Sequence, residues 1–298
     1  MGTGKRVVTV AAATLGLVFA WQMRDAVRAA TPLPAVHSTR QRPDDLELDE
    51  VLPGASEPVR RFVAYADLLQ LPQVAETVTN DENFTEMNVR TIHVTGIPLS
   101  ELLHLFGGPG ADMVSAVAVD AYSAPYPAEY IAAHHPLLVL KIEGLEPAVW
   151  AKQTHNEDPG PYLVTQADFV PSYHVLAHQE RAQVPTQVNV LVFAAESEVF
   201  GRILPPPQYG PQSPQVQGYL IARQNCIRCH NEGATGGSKA GHSWQTLAHV
   251  ATRDAATFGR IIVAPRSVNP RAQMPANAQY DAPTLAALTA YFQSIATK

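Results

Sequence analysis

Apolar residues in the last third of the chain recur at helical spacing. Val216, Tyr219, Leu220 and Ala222 predict a helix over Pro214 to Asn225, and Gly218 beside Tyr219 leaves room for another helix. Leu285, Leu288, Tyr291, Phe292 and Ile295 form the stripe of a terminal helix with Asp281 as N-cap and Pro283 in its first turn. A middle helix is expected from Trp244 to Ile262. Between Val59 and Arg202 the pattern changes to short runs rich in Val, Leu, Ile and Tyr. These predict strands at Val89 to Thr95, Val114 to Ala121, Leu137 to Ile142, Tyr162 to Thr165 and Val188 to Ala194. Within this stretch Pro98 opens a helix with Leu102, Leu105 and Phe106 on its apolar face, and Gly107-Gly108 stop it. The fold class expected is α+β, a mixed α/β domain followed by a small all-α domain.

The ends and joints read differently. Lys5-Arg6 precede an apolar run from Val7 to about Met23, so residues 1–30 read as a signal peptide, with Ala29 or Ala30 before the cut, or as an uncleaved membrane anchor. Residues 31–58 are rich in Pro, Asp and Glu, with an acidic run from Asp44 to Glu50, and are expected to be a solvated linker. A second Pro-rich stretch at 204–214 separates an α/β domain at 59–203 from a helical domain at 215–298.

The length of 298 residues accommodates two domains, and a hydrophobic fraction of 46% with 16% charged residues suits core-forming domains. Charge is split unevenly. From Val216 onward there are eight Lys/Arg and three Asp/Glu, a balance of +5, whereas the remainder carries thirteen and twenty-four, a balance of −11. A basic domain beside an acidic one can dock within the molecule or steer toward an acidic partner. The Lys/Arg are scattered without interleaved aromatics, which argues against nucleic-acid binding.

The chemistry is concentrated in Cys226-Ile227-Arg228-Cys229-His230. Cys-x-x-Cys-His is the attachment signature of a c-type haem: both thiols reach the porphyrin edge, and the next residue, His230, lies where an imidazole can bind the iron. These are the only two cysteines. A thioredoxin-like redox pair lacks its βαβ context, and a zinc site lacks a second Cys/His pair. Met274 is the one methionine beyond the motif. It sits in a polar loop stiffened by Pro275 and is the expected sixth ligand, with His242 and His249 as rivals. His/Met ligation raises the potential and closes the iron to small molecules. The order helix, Cys-x-x-Cys-His, middle helix, Met-Pro loop and terminal helix resembles a class I cytochrome c over about Gln212 to Lys298. The resemblance implies one covalent haem c, anchored by Cys226 and Cys229 and ligated by His230 and Met274.

The α/β stretch resembles the molybdopterin-binding domain of the sulfite oxidase family. The matching runs are Val94-Thr95-Gly96-Ile97-Pro98-Leu99-Ser100-Glu101-Leu102-Leu103 and Val117-Ala118-Val119-Asp120-Ala121-Tyr122-Ser123, the latter with Ala121 where that family has glycine. Leu137 to Pro147 and Gly160-Pro161-Tyr162-Leu163-Val164 match two further strand patterns. The family's molybdenum-binding cysteine precedes the Gly-x-Pro-Leu segment. Here Phe84 to Arg90 holds no cysteine, and Met87 has no thiolate charge to offer high-valent molybdenum. The expectation is a scaffold without that metal chemistry, and molybdopterin is not expected. Other histidines are weak candidates for a metal: His93, His104, the pair His134-His135, His155 beside Glu157 and Asp158, and His174 with His178, which could share a helix face.

These readings converge on an exported or periplasmic one-electron carrier, because c-type attachment occurs outside the bacterial cytoplasmic membrane. The α/β domain would dock a redox partner protein or hold the haem in a larger complex. The alternatives are a haem oxidoreductase whose α/β domain oxidises a small substrate, and a relay subunit of a membrane respiratory or photosynthetic complex.

Overall fold

The computed structural model describes residues 34–55 and 57–296. The expected signal or anchor at 1–30 lies outside the described residues. Among those described, no helix is long and apolar enough to cross a membrane.

Two sheets build the N-terminal part, and the α+β class is what the structure has. A six-stranded sheet runs in the order β1 (Val36–His37), β3 (Val59–Val63), β2 (Leu46–Glu50), β12 (Val188–Ala194), β6 (Met113–Ala118) and β7 (Ser123–Pro127). A four-stranded sheet runs β4 (Val74–Thr79), β5 (Thr91–Pro98), β8 (Leu137–Ile142) and β9 (Leu163–Thr165). A separate hairpin pairs β10 (His174–Val175) with β11 (His178–Gln179). The run Leu137 to Ile142 is apolar except for Lys141 because β8 is buried on both faces. Leu138 and Leu140 enter the main core with Leu46, Ile97 and Phe193, and Leu137, Val139 and Ile142 enter a second core with Phe84 and Trp150. Phe84 and Trp150 meet edge to face at 5.8 Å.

Short helices cover and join the strands: α1 (Tyr65–Leu68), α2 (Glu82–Glu86), α3 (Leu99–Phe106), α4 (Ala128–His134), α5 (Pro147–Thr154) and α6 (Glu196–Phe200). Helix α3 buries Leu99, Leu102 and Phe106, and Gly107 in extended conformation ends it.

The acidic run expected as a linker is strand β2, at the centre of the larger sheet. Leu46 and Leu48 alternate into the core, and β2 lies parallel to β12, joining the beginning of the domain to its end. The acids are tolerated because β3 brings arginines beside them. Arg60 lies 2.6 Å from Glu47 and 3.2 Å from Asp49, Arg61 pairs with Glu50, and Arg40 reaches Glu47 at 2.9 Å. The α/β domain therefore starts well before residue 59.

The C-terminal part is helical: α7 (Pro214–Asn225), α8 (Trp244–Arg253), α9 (Ala255–Val263), α10 (Pro265–Val268) and α11 (Ala282–Ile295). The middle helix expected over Trp244 to Ile262 is two helices. Asp254 interrupts it, and its carboxylate caps α9 by accepting from Thr257 N at 2.9 Å. Helix α7 crosses α11 at Gly218, where a Cβ would come within 2.1 Å of the Ala287 carbonyl oxygen and 2.7 Å of Tyr291 Cβ. Trp244 Nε1 donates to Tyr291 Oη at 2.8 Å, and Tyr291 Oη donates to the Ile203 carbonyl at 2.6 Å. Phe200 and Ile203 share this helical core, so the segment before the proline-rich joint packs with the helices that follow it.

Gly218→Ala is expected to push α7 away from backbone that cannot yield, costing roughly 2 kcal/mol or more. Denaturant unfolding followed by near-ultraviolet circular dichroism checks this, and a loss within about 0.5 kcal/mol would contradict the crossing.

Candidate functional site

Helix α7 delivers the five-residue motif. Ser213 accepts from Val216 N to cap its start, and Cys226 is its C-terminal cap residue. The chain then turns tightly, with His230 N donating to the Cys226 carbonyl at 3.1 Å. Both cysteines are unpaired. Burial, with Cys229 nearby, pushes the Cys226 thiol up to about 12, and burial raises Cys229 as well. Reactive or metal-binding thiols are held as thiolates by lowered pKa values, so these two lack the signature of a redox dithiol.

His230 is oriented by the loop that follows. Its Nδ1 lies 2.8 Å from the backbone carbonyl of His242. A carbonyl only accepts, so Nδ1 carries the proton and Nε2 keeps its lone pair. Burial lowers the His230 pKa, which keeps the ring neutral. A neutral imidazole whose other nitrogen donates to a backbone carbonyl is what a metal-binding histidine requires. His242 contributes its main chain, and its side chain is exposed; His249 is exposed on α8.

Met274 is half-buried and packs against the helical core that also contains Cys226. Its loop is tied to the motif helix. Buried Asn277 donates from its backbone to the Ile262 carbonyl at 2.9 Å, and its Oδ1 accepts from Asn225 Nδ2 at 3.1 Å. Asn225 also donates to Tyr280 Oη at 3.2 Å. Asn225, Asn277 and Tyr280 escaped the sequence reading. Only the adjacency of Asn225 to Cys226, and of Asn277 to the Met-Pro pair, could have pointed to them.

The motif also reaches the α/β domain. Arg228, one of its two variable positions, is 8% exposed. Its guanidinium donates to the carbonyls of Gln224 at 2.8 Å, Arg181 at 3.4 Å and Ala182 at 3.5 Å, and to Tyr122 Oη at 3.4 Å. Backbone bonds flank it: Ser123 N donates to the Arg228 carbonyl at 2.9 Å, and Ser238 N to the Ala121 carbonyl at 3.0 Å. Gly237 is required here, because a Cβ would lie 1.9 Å from the Arg228 carbonyl oxygen. Ala121 occupies the left-handed region at φ +64°, which costs an alanine about 1–2 kcal/mol.

Around this clamp, Lys239 lies 2.5 Å from Asp120, and Arg223 lies 2.9 Å from Glu129 and 3.1 Å from Glu196. His178 is 1% exposed, and its Nδ1 lies 2.6 Å from Tyr280 Oη across the interface. Tyr280 Oη also accepts from Asn225, so His178, Tyr280 and Asn225 form one hydrogen-bonded chain across the interface. Burial, followed by the nearby Arg228 charge, lowers the His178 pKa to about 4.

The remaining histidines do not assemble a centre. His174 and His178 belong to the β10–β11 hairpin, and the shared helix face expected for them is absent because two-residue strands turn between them. His134 is buried against Glu180 at 3.1 Å, whereas His135 is exposed in the left-handed region. His93 pairs with Glu143 at the surface, and His104 and His155 are exposed. Among the described residues, no group of three or more His, Cys, Asp or Glu side chains is placed to hold a metal ion. Met87 packs with Phe84 and Trp150 beside the second core.

No family model and no curated protein matches the chain. Among solved structures, the sulfane dehydrogenase SoxCD from Paracoccus pantotrophus is similar over 54% of this chain and 41% of its own, at 17% identity and a TM-score of 0.34. The aligned part is less than half of that protein's length, and likeness at this level assigns neither family nor activity.

Two outcomes are expected. Arg228→Ala strands several buried carbonyls and should cost roughly 3 kcal/mol or more, with faster proteolysis in the 204–213 joint; unchanged proteolysis would contradict the clamp. The native state binds fewer protons than the unfolded chain between the ordinary histidine value and the folded value of His178. The His178 contribution to stability should therefore fall as pH drops from about 6.5 to about 4, by up to ~3 kcal/mol, with carboxylates held below their usual values, such as Asp120 and Glu143, extending the loss at lower pH. Denaturant midpoints across that window check this, and His178→Asn should flatten the slope.

Proposed function

We propose that the protein is an exported one-electron carrier that holds a single covalent haem c in its helical domain and presents it on a fixed α/β platform. The observation that carries the reading is the state of His230. It is neutral and buried, with Nδ1 committed to the His242 carbonyl, and it follows directly on two unpaired cysteines at the attachment spacing. When bound, the haem would supply Fe(III)/Fe(II) chemistry.

The chain's own residues divide the work. Cys226 and Cys229 would anchor the group as thioethers, which consumes both thiols and suits their half-buried, protonated state. His230 would offer Nε2 from one side. Met274 is the better-supported second ligand, because its loop is pinned to the motif helix through Asn277 and Asn225, whereas His242 and His249 are exposed. The aromatic core of Tyr219, Trp244, Tyr291 and Phe292 would keep water from the site, and a rigid, dry environment lowers the reorganisation that electron transfer requires. No molybdenum role is proposed for the α/β domain. We assign it the task of docking and orienting the haem domain toward a redox partner protein, with the basic helical domain offering complementary charge.

Optical spectroscopy of the wild type and three variants tests this. The oxidised protein should show the weak near-infrared sulfur-to-iron band, lost in Met274→Ala and kept in His242→Ala and His249→Ala. Survival of the band in Met274→Ala would overturn the ligand assignment.

A further inference from the structure

A cavity of about 450 Å³ lies where the two domains meet. Strand β7 and the β10–β11 hairpin supply one wall, and Phe200, Leu220, Arg223 and Gln224 supply the other. Buried inside it is Glu180, 4% exposed. One oxygen, Oε2, accepts from Ser172 N at 2.6 Å and faces His134 Nε2 at 3.1 Å, while Oε1 has no protein partner among the described residues. The carboxylate's ion-pair partner is His134, and among the described residues no lysine or arginine pairs with it. Gln183, 2% exposed, donates Nε2 to the Pro125 carbonyl at 2.7 Å, which fixes the amide orientation and leaves its buried Oε1 unpartnered. A buried acceptor without a donor, as at Gln183 Oε1, is costly. The cavity's one guanidinium, Arg223, is already engaged by Glu129 and Glu196 and lies over the Phe200 ring.

We propose that this cavity is a binding site for a small organic cation with N–H donors, of the primary amine or guanidine class. Glu180 Oε1 takes the charge-assisted hydrogen bond, Gln183 Oε1 a second, and the faces of Tyr130 and Tyr173 line the remainder. Because both domains form its walls, the bound cation reinforces their docking. The site stands on this interface alone and does not depend on the haem assignment.

Calorimetric titration of the full chain with agmatine, which carries both groups, tests the site, with malonate as an anionic control of similar size. Saturable binding at one agmatine per chain is expected, with no malonate uptake. Glu180→Gln, which removes the charge, and Leu220→Trp, which fills the cavity from helix α7, should each weaken binding on the order of tenfold or more. If Glu180→Gln fails to fold, Gln183→Leu takes its place. Absence of saturation with agmatine, preferential malonate binding, or agmatine affinity unchanged in either variant overturns the proposal.

Discussion

A buried guanidinium ties this molecule's two halves together, with ion pairs and backbone bonds around it. Arg228 stands inside the motif that carries the chain's distinctive chemistry; it donates to the Gln224 carbonyl of its own helix and to the Arg181 and Ala182 carbonyls and the Tyr122 hydroxyl of the other domain. Among the described residues no carboxylate pairs with it, so the interface bears the cost of desolvating a cation and recovers it through several hydrogen bonds at once. Those bonds form only if the Gln224, Arg181 and Ala182 carbonyls and Tyr122 converge, which makes the arrangement specific as well as stable. The backbone bonds of Ser123 and Ser238 on either side leave little freedom for sliding.

That geometry changes the reading of the charge split. Three of the helical domain's basic residues, Arg223, Arg228 and Lys239, face the α/β domain, two of them against Glu129, Glu196 and Asp120. Intramolecular docking thus accounts for part of the imbalance. Arg253, Arg260, Arg266 and Arg271 remain exposed on the helices and loop around Met274, available to an acidic surface elsewhere.

Much of this was legible in the sequence where local physics dominates. Helix α7, helix α11 with its Asp281 cap, strands β8 and β12, and the helix-crossing glycine follow from periodicity, caps and small-residue placement. The misreadings arise where the local pattern does not show which side chain or turn a residue will meet. The acidic run from Asp44 to Glu50 reads as solvated until Arg60 and Arg61 are placed opposite it, although the alternation of Leu46 and Leu48 was a strand signal. Asp254 passes for an ordinary helical residue until its side chain caps α9. His174 and His178 have helical spacing and lie on a hairpin. Within the candidate site, the motif was plain, while its supports, Asn225, Asn277, Tyr280 and the His242 carbonyl, carry no signature because they act through geometry. Ala121 is an intermediate case: its departure from the glycine of the resembling family was visible, and only the positive φ shows its conformational cost.

We propose that Cys226 and Cys229 serve as covalent anchors while Arg228, between them, binds the other domain. This is tested most directly by counting reactive thiols in denatured protein matured in a host able to attach haem. Coloured protein in which neither cysteine takes up an alkylating reagent is the expected result. Colourless protein with both cysteines alkylated would contradict it.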